Sequence, residues 1–170
     1  MRKMIWLAGG LALAACGDEP RATADLMNAS GERVGTVTLV EKGDEVEFQV
    51  EATGLEPGLH GIHFHAVGRC EAPGFTSAGA HFNPQDKQHG LESPNGAHAG
   101  DLPNLEVNAS GGATTTMMTE RVTLSEGPLS VFDADGTALV IHARADDQVT
   151  DPSGNSGDRI ACGVLQRSEY

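Results

Sequence analysis

The sequence predicts an all-β domain, a sandwich or barrel of antiparallel strands. Three observations carry that expectation. Short stretches alternate apolar and polar residues with the period of two that sends successive side chains to opposite faces of a sheet. Turn-forming residues separate these stretches at hairpin spacing. No helical period lasts longer than a turn or two, and there is no internal repeat. With 170 residues, the chain is long enough for one domain with a sizeable core.

Residues 1–16, MRKMIWLAGGLALAAC, combine a basic start, a short apolar run and small residues before a cysteine. The run is too short to span a bilayer comfortably and reads as an export signal. Leu13-Ala14-Ala15-Cys16 resembles a bacterial lipobox, which implies removal of residues 1–15 and a lipid on the Cys16 sulfur. An ordinary signal peptide cut near Cys16 is the alternative. Gly17, where an aspartate would favour inner-membrane retention, points to the outer membrane. Residues 16–21 then form the lipidated cysteine and tether, and residues 22–170 the folded domain. Lipidation of Cys16 leaves Cys70 and Cys162, which an oxidising periplasm would favour as a disulfide. Closing a loop of about 90 residues stabilises by about 4–5 kcal/mol in the chain-entropy account.

From Ala22 onward, strand candidates are split by turns. Asn28-Ala29-Ser30-Gly31 separates the first from Val34–Val40, and Lys42-Gly43-Asp44 leads into Glu45–Ala52. That last stretch alternates cleanly, with Val46, Phe48, Val50 and Ala52 on one face and acids with Gln49 on the other. A Pro57-Gly58 turn precedes LHGIHFHAVGRC, residues 59–70. There Ile62 and Phe64 share one face of a strand, and His63 and His65 the other. Two neighbouring imidazoles on a rigid strand make half of a metal site, although HxH alone fits two solvated histidines equally well. Residues 67–103 are mostly Gly, Pro, Ala, Asn, Ser and His, an unusually long irregular segment unless it is functional or tied down. Strands resume at Leu105–Ala109, Thr114–Leu124, Ala138–Ala143 and Ile160–Gln166. With Leu139 and Ile141 facing the core, His142 would point to the outer face, as His63 and His65 do.

Six of the seven histidines fall between His60 and His98, in a chain that is only 4% aromatic. The formal charge is −13; removing Arg2 and Lys3 with the signal leaves nine basic against 24 acidic residues, a net −15. Nucleic acid is thereby excluded as a partner, because no basic footprint exists.

The motifs GLHGIHFHAVGRC, GAHFNP, KQHG, HAGDLPN, LVIHARADD and GDRIACGV occur in an order and spacing that closely resemble the copper,zinc superoxide dismutase family. The resemblance covers nearly all of the chain after the tether. It implies eight antiparallel strands in a flattened Greek-key barrel with long metal-binding loops. It implies a copper ion held by His63, His65, His81 and His142, and a zinc ion held by His81, His89, His98 and Asp101, so that His81 serves both. Four nitrogens suit copper, and three imidazoles with one carboxylate suit a closed tetrahedral zinc site. Asp146 corresponds to a carboxylate that joins a copper ligand to a zinc ligand from behind; Asp147 is adjacent, but the motif favours Asp146. His60 matches no ligand and reads as structural.

Arg159 matches the family's arginine beside the copper, where it would guide an anionic substrate. The implied activity is dismutation of superoxide to dioxygen and hydrogen peroxide. The segment between His142 and Arg159 has the shorter bacterial length, and Lys87 is a positional candidate for steering. A metal-buffering lipoprotein without turnover and a purely adhesive sandwich are the rival classes. The first would go with a missing copper ligand or a missing arginine, the second with scattered histidines. A periplasmic location, anchoring through Cys16, and a monomeric or homodimeric state complete the expectations.

Overall fold

The computed structural model describes residues 19–168; Cys16 and the export signal lie outside them. Ten short strands form in chain order: β1 Arg21–Asn28, β2 Arg33–Lys42, β3 Glu45–Ala52, β4 Gly58–His60, β5 Ile62–His65, β6 Leu105–Val107, β7 Ala113–Thr119, β8 Ala138–His142, β9 Arg159–Val164 and β10 Gln166–Arg167. The main sheet runs β5-β8-β9-β1-β2-β3-β7, with β10 on β1, and β4 pairs with β6. Every strand pair is antiparallel. The hairpin neighbours β1-β2-β3 and β8-β9 are consecutive in sequence, whereas β5-β8, β9-β1 and β3-β7 are not, as Greek-key connections require.

Ten strands reduce to eight extended runs. β4 and β5 are one run interrupted at Gly61, where it changes partner from β6 to β8. β9 and β10 are one run interrupted at Leu165. A tight turn closed by the Asn108 N–H on the Gly112 carbonyl joins β6 to β7, so the two ends of the sheet curl towards each other. The strand expected over Thr114–Leu124 ends at Thr119. Beyond it Val122 and Leu124 stay fully buried on irregular backbone, held where the Leu124 and Ser125 N–H groups donate to the Glu41 carboxylate.

Alternation shapes the interior. Val46, Phe48 and Val50 are fully buried, and so are Ile62, Phe64, Leu139 and Ile141 on the facing wall. Phe48 meets Phe64 edge-to-face with ring centroids 5.9 Å apart, in the range favoured by the ring quadrupoles. A smaller apolar cluster of Phe75, Ala78, Ala138, Val140 and Cys162 forms outside the barrel wall. It lies on the same side of β8 as His142.

The Phe48–Phe64 contact joins the two walls, and its loss generates a prediction. Phe48→Ala should destabilise by about 3–5 kcal/mol, read as a shift of the denaturant midpoint without a change in slope. Truncating Glu45, on the solvent-facing side of the same strand, should change stability by less than about 0.5 kcal/mol.

Candidate metal centre

The long segment after β5 does not wander. It lays two short antiparallel bridges along the free edge of β5, pairing His65 with His81 and His63 with Asp101. The Phe64 N–H donates to the Gly100 carbonyl (2.9 Å), and the Phe82 N–H donates to that of Phe64 (2.8 Å). Gly100 is required at this crossing, because a Cβ there would lie 2.3 Å from the Phe64 carbonyl oxygen. On the other edge of β5, β8 delivers His142 just after a register irregularity. The face of β5 expected to look outward is thus roofed by loops, and His63, His65 and His142 are at most 3% exposed.

Two donor sets result. His63, His65, His81 and His142 offer atoms mutually within 4.8 Å, and so do His81, His89, His98 and Asp101. His81 belongs to both. A third grouping, His63 with His89 and Asp146, satisfies the same distance but uses the opposite ring nitrogens. Asp146 accepts from His63 Nε2 at 2.6 Å and from His89 Nε2 at 3.0 Å, so it bridges the two sets from behind. Asn104 clamps it in turn: the Asp146 N–H donates to Asn104 Oδ1, and Asn104 Nδ2 donates to the Asp146 carbonyl. Gly154 seals the bridge, since a Cβ there would collide with both the Asp146 carboxylate and His89 Nε2. Asp147 is exposed and instead accepts from the Val149 and Thr150 N–H groups.

The outward nitrogens set the tautomers. His65 Nδ1 donates to the Gly79 carbonyl (2.9 Å) and His142 Nδ1 to that of Gly157 (3.1 Å). With the proton on the outward nitrogen, each inward nitrogen presents a bare lone pair, the form a metal needs. His65 Nε2 and His142 Nε2 accordingly face each other at 3.4 Å, and buried His63 Nδ1 and His81 Nε2 have no hydrogen-bond partner. His81 alone turns both nitrogens inward, its Nδ1 lying 2.9 Å from Asp101 Oδ1.

Burial keeps the first donor set neutral. Desolvation, reinforced by neighbouring rings, lowers His81 to about 4 and His142 to about 3, and it pushes His63 and His65 down as well. On the other side, desolvation of His89 is outweighed by its hydrogen bonds to Asp101 and Asp146, which raise it to about 9. Burial would raise both carboxylates, yet their imidazole partners hold Asp101 and Asp146 below the usual carboxylate range.

A cleft of about 420 Å³ reaches His65, His81 and His142 from solvent, with Thr76, Ser153 and Arg159 on its walls. Arg159 donates to the Phe75 (2.7 Å) and Gly79 (2.6 Å) carbonyls. Among the described residues no carboxylate pairs with it, so its charge is fixed in place without being neutralised. Cys70 and Cys162 form a disulfide that ties the loop carrying Phe75 and Gly79 to β9. Lys87 is exposed and does not line the cleft. His60 sits between the His142 and Glu56 carbonyls, away from both donor sets.

A sequence model described as copper/zinc superoxide dismutase (SODC) matches residues 33–165. The chain belongs to this family. A copper/zinc superoxide dismutase of Aquifex aeolicus is 43% identical over 87% of this chain and 89% of its own length. One from Caulobacter vibrioides is 41% identical, covering 85% of each. The crystal structure of a superoxide dismutase-like protein from Bacillus subtilis superimposes with a TM-score of 0.82 at 44% identity, over 85% of this chain and 97% of that one. The family's two ions suit the donors present: four imidazole nitrogens, two of them orphaned, for copper, and three Nδ1 atoms with one carboxylate oxygen for zinc. The sequence reading missed Asn104 and the carbonyls of Gly79 and Gly157. Asn104 stands inside the HAGDLPN motif, whereas a carbonyl acceptor leaves no mark on residue identity.

The raised His89 makes zinc binding at the second donor set depend on pH. Below about 9 the metal-free ring carries a proton that zinc must displace, so apparent zinc affinity should rise with pH by about tenfold per unit through the neutral range. Calorimetric titrations in buffers of different ionisation enthalpy should count the proton released.

Proposed function

We propose that this chain dismutates superoxide, and the observation that carries the reading is His81, whose two nitrogens both face inward between two donor sets. Bound copper would supply the one-electron chemistry of a ping-pong cycle, oxidising one superoxide to dioxygen and reducing the next to peroxide. The protein's residues do the rest. Arg159 draws the anion into the cleft against a mature charge of −15 and orients it near His65 and His142. His81 Nε2 takes up a proton in one half-cycle and hands it to the reduced oxygen in the other; the second proton of hydrogen peroxide comes from solvent through the cleft. Were Nδ1 to hold zinc, that protonation would yield a neutral ring, and the burial that opposes an imidazolium would not oppose it. Asp146 holds His63 and His89 at fixed angles, which keeps the two donor sets in register.

The test is superoxide decay followed by pulse radiolysis on the copper- and zinc-loaded protein. His142→Ala should cut the second-order rate constant by about a hundredfold or more, because a displaced reacting centre forfeits its alignment. Arg159→Ala should lower it by about tenfold, with Arg159→Lys between. A loaded parent protein that binds both ions but does not accelerate decay would leave metal buffering as the function.

We further propose a periplasmic location with lipid attachment at Cys16, supported by the basic start, the short apolar run and the Leu13-Ala14-Ala15-Cys16 motif. Mass spectrometry of the exported protein should find acylated Cys16 at its N-terminus. An unmodified N-terminus would end that reading.

A further inference from the structure

We infer that Asp151 is a positioning residue for the zinc half of the site, a role resting on the assignment of His81, His89, His98 and Asp101 as zinc donors. Four of the five non-bridging histidines have an oxygen behind the outward nitrogen within 3.1 Å. The fifth is His98. Its Nδ1 turns towards Asp101 Oδ1 (3.3 Å), and its outward Nε2 looks at Asp151 Oδ1, 3.9 Å away. The same Asp151 oxygen accepts the backbone N–H of His89 at 2.7 Å. One carboxylate oxygen therefore fixes the main chain of one zinc donor and faces the ring of another.

Asp151 reaches this place from the segment between β8 and β9, while His89 and His98 come from the segment between β5 and β6. The contact is a cross-loop clamp. Its near end is itself held, since Asp147 accepts from the Val149 and Thr150 N–H groups and the Gly154 N–H donates to the Thr150 carbonyl at 2.7 Å. The two carboxylates hold different parts of the site. Asp146 secures the rings of His63 and His89, and Asp151 secures the backbone of His89 and the open side of His98. The Asp151 carboxylate also sets a negative charge facing the open edge of the His98 ring.

The test uses the full folded protein with zinc in its site, transfer of zinc to a chromogenic chelator as the first readout, and the visible spectrum of the cobalt-substituted zinc site as the second. Asp151→Ala should release zinc about tenfold faster, at the lower end of what an outer carboxylate contributes, and should shift the cobalt bands. Asp151→Asn, which keeps the acceptor for the His89 N–H, should restore the bands and only part of the retention. Asp147→Ala loosens the same loop without touching a zinc donor and should leave the cobalt bands unchanged. Parent-like release and spectra in both Asp151 variants would overturn the inference, as would identical band shifts in Asp147→Ala. Should Asp151→Ala fail to fold, zinc release from Asp151→Asn at the parental rate would overturn it alone. A parent protein that takes up no zinc would instead remove the zinc assignment beneath it.

Discussion

Six buried imidazoles converge on one small volume, five with one nitrogen inward and the other outward and His81 with both inward. The rest of the architecture serves that constraint. Each unpaired buried nitrogen costs about 1–3 kcal/mol relative to a satisfied one, and the face holding His63 Nδ1 and His81 Nε2 offers them no protein partner. A fold carries such a deficit only where surrounding contacts over-determine the geometry. Here those contacts are the strand pairing of β5 with β8, the two bridges on its opposite edge and the Asp146 clamp.

The barrel interior and the metal centre lie on opposite faces of the same strand. Ile62 and Phe64 face inward against Phe48, and this contact fixes the direction in which His63 and His65 project. Stability and function are thereby coupled through alternation itself: a one-residue slip of β5 would send both imidazoles into the hydrocarbon core. The roof over the histidine face then converts a polar strand surface into a desolvated pocket. That desolvation lowers His81 and His142 to about 4 and about 3, keeping both rings uncharged at neutral pH.

Much of this was legible in residue order. Alternation at Val46, Phe48, Val50 and Ala52 reports a half-buried strand because period two has one physical cause there. Thr114–Leu124 misleads because alternation reports burial first: Val122 and Leu124 remain inside although the backbone has left the ladder. HxH names a face but cannot say what covers it, so an outward reading of His63 and His65 met a strand buried on both sides. The donor sets and the Asp146 carboxylate behind them were visible through motifs, while the carbonyl acceptors were not. Gly79 and Gly157 act through carbonyls that every residue possesses, and Asp151 depends on a cross-loop approach that no local pattern encodes.

Electrostatics completes the logic of the cleft. A net charge of −13 repels an anion at distances comparable to the Debye length, about 8 Å at physiological salt, and screening removes most of that field farther out. Within the cleft the relevant charge is local. Arg159 is held by the Phe75 and Gly79 carbonyls, which position a guanidinium without cancelling it, as a carboxylate would. The Gly79 oxygen also accepts from His65 Nδ1, so one carbonyl sets both the guanidinium and a metal-facing imidazole. The disulfide ties the loop bearing that carbonyl to the strand that begins with Arg159. The distance between attracting charge and reacting centre is therefore set by one carbonyl and two covalently joined segments, which lets an acidic protein accept an anion at a single place.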